Sequence, residues 1–79
     1  MLSEMNGAFR VVGVKQSLRA LREGRAKKVF LACDADPALT DRVEALCAEV
    51  PVEHEYTMAQ LGTAAGIAVG AAVVTILNG

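Results

Sequence analysis

The order of apolar runs, helix caps and glycines predicts an α/β fold, a three-layer α/β/α sandwich with a mixed four-stranded sheet in the order βαβαβαβ. Three observations carry this. The run Lys28-Val29-Phe30-Leu31-Ala32-Cys33 has the pattern of a strand buried on both faces. Two helix starts are written as caps, Asp36-Pro37 and Thr57-Met58-Ala59-Gln60. A further helical stretch lies between Gly13 and Gly24, with Val14, Leu18 and Leu21 repeating at i, i+4 and i+7.

Taken in order, residues 1–8 carry little signal and are expected to form a loose or short helical start. Phe9-Arg10-Val11-Val12 reads as a short strand leading into a helix that begins near Val14 and stops at Gly24. The apolar run from Lys28 to Cys33 follows as the second strand. Asp36 then serves as N-cap and Pro37 as the first helical residue, with Leu39, Val43, Leu46 and Val50 forming one apolar face. Asp34 and Asp36 are two nearby carboxylates, but the cap accounts for Asp36 and no third ligand is close, so neither a metal nor an acid–base pair is expected. Pro51 ends that helix, and Val52-Glu53-His54-Glu55-Tyr56 alternates enough for a half-exposed strand, with His54 at the surface. The capping box of Thr57 and Gln60 opens a two-turn helix that stops at Gly66. Ile67-Ala68-Val69-Gly70 reads as a loop, and residues 71–77 as the last buried strand.

At 79 residues the chain is one domain, residues 1–79, near the size at which a single core becomes marginal. With 53% hydrophobic residues but only 4% aromatic, that core must be aliphatic. Cys33 and Cys47 form no CxxC, and a single histidine supplies no metal spacing, so both thiols are expected to be buried and free, with no metal and no cofactor. That usage, and an N-terminus without a charged start followed by an apolar run, suit a reduced, cytoplasmic protein. No nucleophile–base pair or phosphate-cradling loop marks an enzyme.

The net charge of −1 hides a split, because residues 10–28 hold seven cations and one anion, a net of +6. Within that stretch Lys15, Arg19 and Arg22 fall in one stripe of the helix beside the apolar one. Gly13 at the N-cap position leaves the amides of the first turn open to a partner, an arrangement suited to phosphate or nucleic acid. A solvated basic face satisfies the same pattern.

Residues 61–77 are uncharged and contain Gly62-x-x-x-Gly66-x-x-x-Gly70, the spacing of a membrane helix pair. As a helix they would span about 25 Å, short of the roughly 30 Å hydrocarbon core. The helix–loop–strand reading explains Thr57, Gln60 and Gly66 together, so no membrane is expected.

Two separated blocks carry a resemblance. Gly13-Val14-Lys15-Gln16-Ser17-Leu18-Arg19-Ala20-Leu21-Arg22-Glu23-Gly24 resembles the glycine-bounded recognition helix of the L-seven-Ae family of ribosomal, kink-turn-binding proteins. Leu61-Gly62-Thr63-Ala64-Ala65-Gly66-Ile67-Ala68-Val69 is similar to that family's Leu-Gly-x-Ala-x-Gly-[Ile/Leu]-x-Val block, and Asp34-Ala35-Asp36-Pro37 matches a usual turn between them. The Lys15-Gln16 pair is nearest to its small bacterial YbxF/YlxQ-type members. The resemblance implies a helix N-terminus that enters the widened groove at tandem sheared G·A pairs of a sharply bent RNA. It puts Gly13, Val14, Lys15, Gln16 and Arg19 in the first contacts, on guanine edges and flanking phosphates. Lysine and arginine suit guanine O6 and N7, and glutamine offers both a donor and an acceptor. Arg22 and Lys28 would hold phosphates, and Ile67, Ala68 and Val69 would pack against an unstacked nucleotide. The chain departs from archaeal relatives in having Val14-Lys15-Gln16 in place of Thr-Asn-Glu, which removes a hydroxyl from the first turn.

The expected function is therefore a non-catalytic, monomeric RNA-binding protein for kink-turn or similarly bent RNA, associated with the ribosome or with other RNA. The alternative is a protein–protein scaffold that keeps the fold with weak RNA affinity, suggested by the small apolar loop and the acidic helix after Pro37.

Overall fold

The structure, a computed structural model, describes residues 9–78, and the expected loose start over residues 1–8 lies outside them. Seven elements follow the expected order: β1 (Arg10–Val12), α1 (Val14–Arg22), β2 (Ala26–Leu31), α2 (Pro37–Ala45), β3 (Val52–Glu53), α3 (Met58–Ala65) and β4 (Val73–Leu77). The sheet order is β1-β4-β2-β3, with β4 antiparallel to both neighbours and β2 parallel to β3. The sheet is thus mixed and four-stranded, as the sequence predicts.

Successive residues of β2 point to opposite sides of the sheet, which explains its unbroken apolar run. Val29 and Leu31 pack with Leu18, Val43, Cys47 and Val73, so α1 and α2 cover one face. Phe30 and Ala32 pack with Leu61, Ala65, Val74 and Ile76, so α3 covers the other. β2 begins at Ala26, two residues ahead of expectation, because a register irregularity between Ala26 and Lys28 lets it pair with Leu77.

Two expectations need correction. The apolar face read for α2 is only partly buried: Val43 is fully enclosed, while Leu39 and Leu46 remain 36% and 39% exposed. The helix stops at Ala45, and Cys47 takes the next buried position beside Val43, donating its thiol to the Val43 carbonyl at 3.3 Å. The two thiols also differ, since Cys47 is buried and Cys33 is exposed. β2 ends at Leu31, which leaves Cys33 in the turn beyond it, its amide donating to the Tyr56 carbonyl. Burial, reinforced by the nearby Glu44 charge, pushes the Cys47 thiol above its ordinary range. Reaction of the native protein with a chromogenic disulfide should therefore show one fast thiol, the second reacting only on unfolding. Two fast thiols would contradict this packing.

At the C-terminal end, the caps read from the sequence are present. Thr57 Oγ1 accepts from the Gln60 amide at 3.2 Å and Gln60 Oε1 accepts from the Thr57 amide at 2.9 Å. Gly66 closes α3 in the left-handed conformation at φ 78°, and the Ile67 amide returns to the Gly62 carbonyl. The other two glycines of the i, i+4, i+8 series serve close approach. A Cβ on Gly62 would overlap the Val69 carbonyl oxygen, and one on Gly70 would sit 3.1 Å from Cβ of Met58. The small-residue spacing therefore belongs to a loop folded back on its own helix. Among the described residues no helix is long and apolar enough to cross a membrane.

Candidate nucleic-acid interface

β1 delivers the chain to α1 through a single glycine. Gly13 stands at φ 103°, a conformation closed to most side chains, and its amide donates to the Val73 carbonyl at 2.9 Å. That bond fixes the start of α1 to the start of β4. No side chain caps the helix, and by helical geometry its first-turn amides have no acceptor within it. Lys15 and Gln16 are exposed on this turn, whereas Val14 is half-buried against the cluster around Leu18 and Val43. Val14 thus anchors the turn. Ser17, Leu18 and Ala20 are buried beneath it, so the exposed side of α1 is left to Lys15, Gln16, Arg19 and Arg22.

The second candidate surface enters the sheet at the same end. Residues 66–72 connect α3 to Val73, the residue that holds Gly13. Ile67 is 37% exposed, Val69 71%, and Ala68 is exposed between them. Apolar side chains held outward at a turn are informative because nothing in the fold needs them there. Their backbone is fixed by the contacts of Gly62 and Gly70 and by the Ala71 amide, which donates to the Met58 carbonyl. Asp34 tightens this further, since its carboxylate accepts from the Met58 amide at 2.8 Å and so reaches α3 from the turn after β2. Sequence reasoning had assigned Asp34 no role. A bond across 24 positions leaves no local signal.

The basic stretch divides on folding. Lys28, expected at a phosphate, lies on the α3 side of the sheet. It shares that face with Phe30, bonding Glu53 Oε1 at 3.0 Å and lying 5.3 Å from the Phe30 ring centre. Arg10 likewise turns to α3, donating from Nη2 to the Ala65 carbonyl at 2.9 Å, where a cation complements a helix C-terminus. Along α1 the charge is organised by Glu23, which accepts from Arg19 Nε at 3.2 Å and from Arg25 Nη1 at 3.1 Å. These two guanidinium groups, Arg25 foremost, hold the Glu23 carboxyl below its usual range. The Arg19–Glu23 spacing of i, i+4 is readable in the sequence, so this clasp had a signal that the count of cations obscured.

The start of α1 therefore offers open helix amides with Lys15 and Gln16, Arg19 and Arg22 follow along its exposed side, and the outward apolar loop feeds the strand to which that start is bonded. Among the described residues there is no group of three His, Cys, Asp or Glu side chains able to hold a metal ion. The groups on α1 and the loop are of the kind that an anionic ligand with flat apolar surface would engage.

The chain belongs to the ribosomal protein L7Ae/L30e/S12e/Gadd45 family, whose model matches residues 5–79. It is 51% identical over 70 residues to an RNA-binding protein of Geobacillus sp. (strain WCH70), covering 86% of this chain and 85% of that one. It is 48% identical over 70 residues to the RNA-binding protein YbxF of Geobacillus stearothermophilus, with the same two coverages of 86% and 85%. Among solved structures, the 15.5 kD RNA-binding protein of Giardia lamblia superposes with a TM-score of 0.81 at 26% identity, over 89% of this chain and 61% of that one.

Proposed function

We propose that this chain is a non-catalytic RNA-binding protein that recognises a kink-turn or similarly bent RNA. The observation that carries the reading is the bond from the Gly13 amide to the Val73 carbonyl, which ties the uncapped start of α1 to the strand that the exposed loop at 67–69 leads into. An RNA sharply bent at an internal loop presents both things that these elements can bind: crowded phosphates with accessible base edges, and an unstacked base. In this reading Gly13 allows close approach, Lys15 and Gln16 face guanine edges, and Arg19 and Arg22 hold flanking phosphates. Val14 contributes its backbone amide while its side chain stays with the core. Ile67, Ala68 and Val69 form the platform for the unstacked nucleotide. Lys28 has no part in this surface.

The RNA-binding names of the relatives support this over a scaffold or an enzyme, and the family's ribosomal members support a ribosomal or ribonucleoprotein setting in the cytoplasm. Gel-shift titration tests it, with a kink-turn RNA beside a control whose G·A pairs are replaced by Watson–Crick pairs. Binding should be tighter to the kink-turn, as a one-to-one complex. Equal binding to the two RNAs, or none to either, would overturn the reading.

A further inference from the structure

Glu23 is the only carboxylate in residues 10–28, and it sits where a carboxylate is locally unfavourable. As the C-cap residue of α1 it faces the negative end of the helix dipole, and its side chain caps nothing. Each oxygen instead serves one arginine, Oε2 accepting from Arg19 and Oε1 from Arg25. Both arginines and Glu23 lie in solvent, with side-chain exposures of 73%, 55% and 41%, so burial does not explain the arrangement either. Two anionic oxygens bridging two guanidinium groups is the geometry by which arginines take a phosphate.

We propose that Glu23 is a built-in stand-in for a backbone phosphate, holding Arg19 and Arg25 in a phosphate-ready pose and competing with RNA for them. The proposal rests on the RNA reading above and assigns the affinity-setting residue of that site. Exposed ion pairs are weak, so an RNA phosphate displaces the carboxylate at small cost. The displaced Glu23 then stands unpaired beside the bound backbone, which lowers affinity for every sequence and leaves discrimination to the first turn of α1. The clasp also means that one of the two guanidinium charges is already offset before RNA arrives, which weakens the salt dependence expected from the number of cations on the helix.

The test compares Glu23→Gln with Glu49→Gln, an exposed carboxylate beyond α2 whose substitution changes the net charge equally. Affinities of both variants and the wild type for the kink-turn RNA and its control are measured by fluorescence anisotropy across a salt series. Elution from heparin–agarose is followed in parallel. Glu23→Gln should bind both RNAs about three- to tenfold more tightly at low salt, with a log–log salt slope steeper by about one. Its ratio between the two RNAs should be unchanged, and it should elute from heparin at higher salt than Glu49→Gln. A Glu23→Gln no different from Glu49→Gln on RNA and on heparin, or weaker than the wild type, overturns the proposal. A wild type that fails to prefer the kink-turn overturns the functional reading instead. In that case the heparin comparison, which needs no RNA selectivity, still decides the role of Glu23.

Discussion

Gly62→Ala should destabilise the protein by about 2–3 kcal/mol, seen as a lower urea midpoint at unchanged m-value. The sign is the informative part. A glycine-to-alanine change inside a helix ordinarily stabilises by about 0.5–1 kcal/mol, through backbone entropy and helix propensity. Here the new Cβ would overlap the Val69 carbonyl, a backbone atom that cannot swing aside as a side chain would. Relief requires moving the loop at 67–70 away from α3. The same variant should therefore bind RNA less tightly, although residue 62 itself is buried. A stabilised Gly62→Ala would mean that the loop is not held against the helix in solution.

Lys15→Ala should weaken kink-turn binding by about tenfold or more, in line with about 1–3 kcal/mol for a well-placed contact to a base edge. Arg42→Ala, which removes the same charge from exposed α2, should change it by less than about twofold. The two kinds of contact on α1 separate further by selectivity. Lys15→Ala should reduce the preference for the kink-turn over its G·A-less control, whereas Arg22→Ala should weaken both RNAs alike. Because Lys15 is exposed and Val14 carries the packing, neither outcome should be confused by unfolding, and thermal melts of the variants check this. Equal losses for Lys15→Ala and Arg42→Ala would remove the base-edge role from the first turn of α1.

Much of the fold was legible because its punctuation is local. Asp36-Pro37, Thr57 with Gln60, and Gly66 each specify a helix end through a bond or a dihedral spanning a few residues, and each appears where expected. The run around Phe30 was legible because a strand with helices on both faces has no polar side. What escaped depends on partners far along the chain. Leu39 and Leu46 have helical spacing, but whether such a stripe is buried depends on where α2 lies over the sheet. Cys33 looked like the end of a buried strand, yet the strand stops two residues earlier. Lys28 sits among the cations of the sequence, but strand alternation sends it to the opposite side of the sheet from α1. For the site, the helix stripe and the loop could be read separately. Their meeting through Gly13 and Val73 could not, since it depends on β4 returning beside β1.

That return has a consequence for how the protein comes into being. β4 is the last of the described elements yet lies between β1 and β2, and among the described residues β1 joins the sheet only through it. Until residues 73–77 are in place, β1 lacks the one strand it pairs with among the described residues, and the Gly13 amide lacks the Val73 carbonyl. The assembly is thus dominated by pairings between distant parts of the chain, whose closure entropy comes before any contact rewards it. A chain cut before residue 73 would lose the carbonyl that holds Gly13 at the start of α1. On the proposed reading, RNA binding therefore depends on β4 being in place.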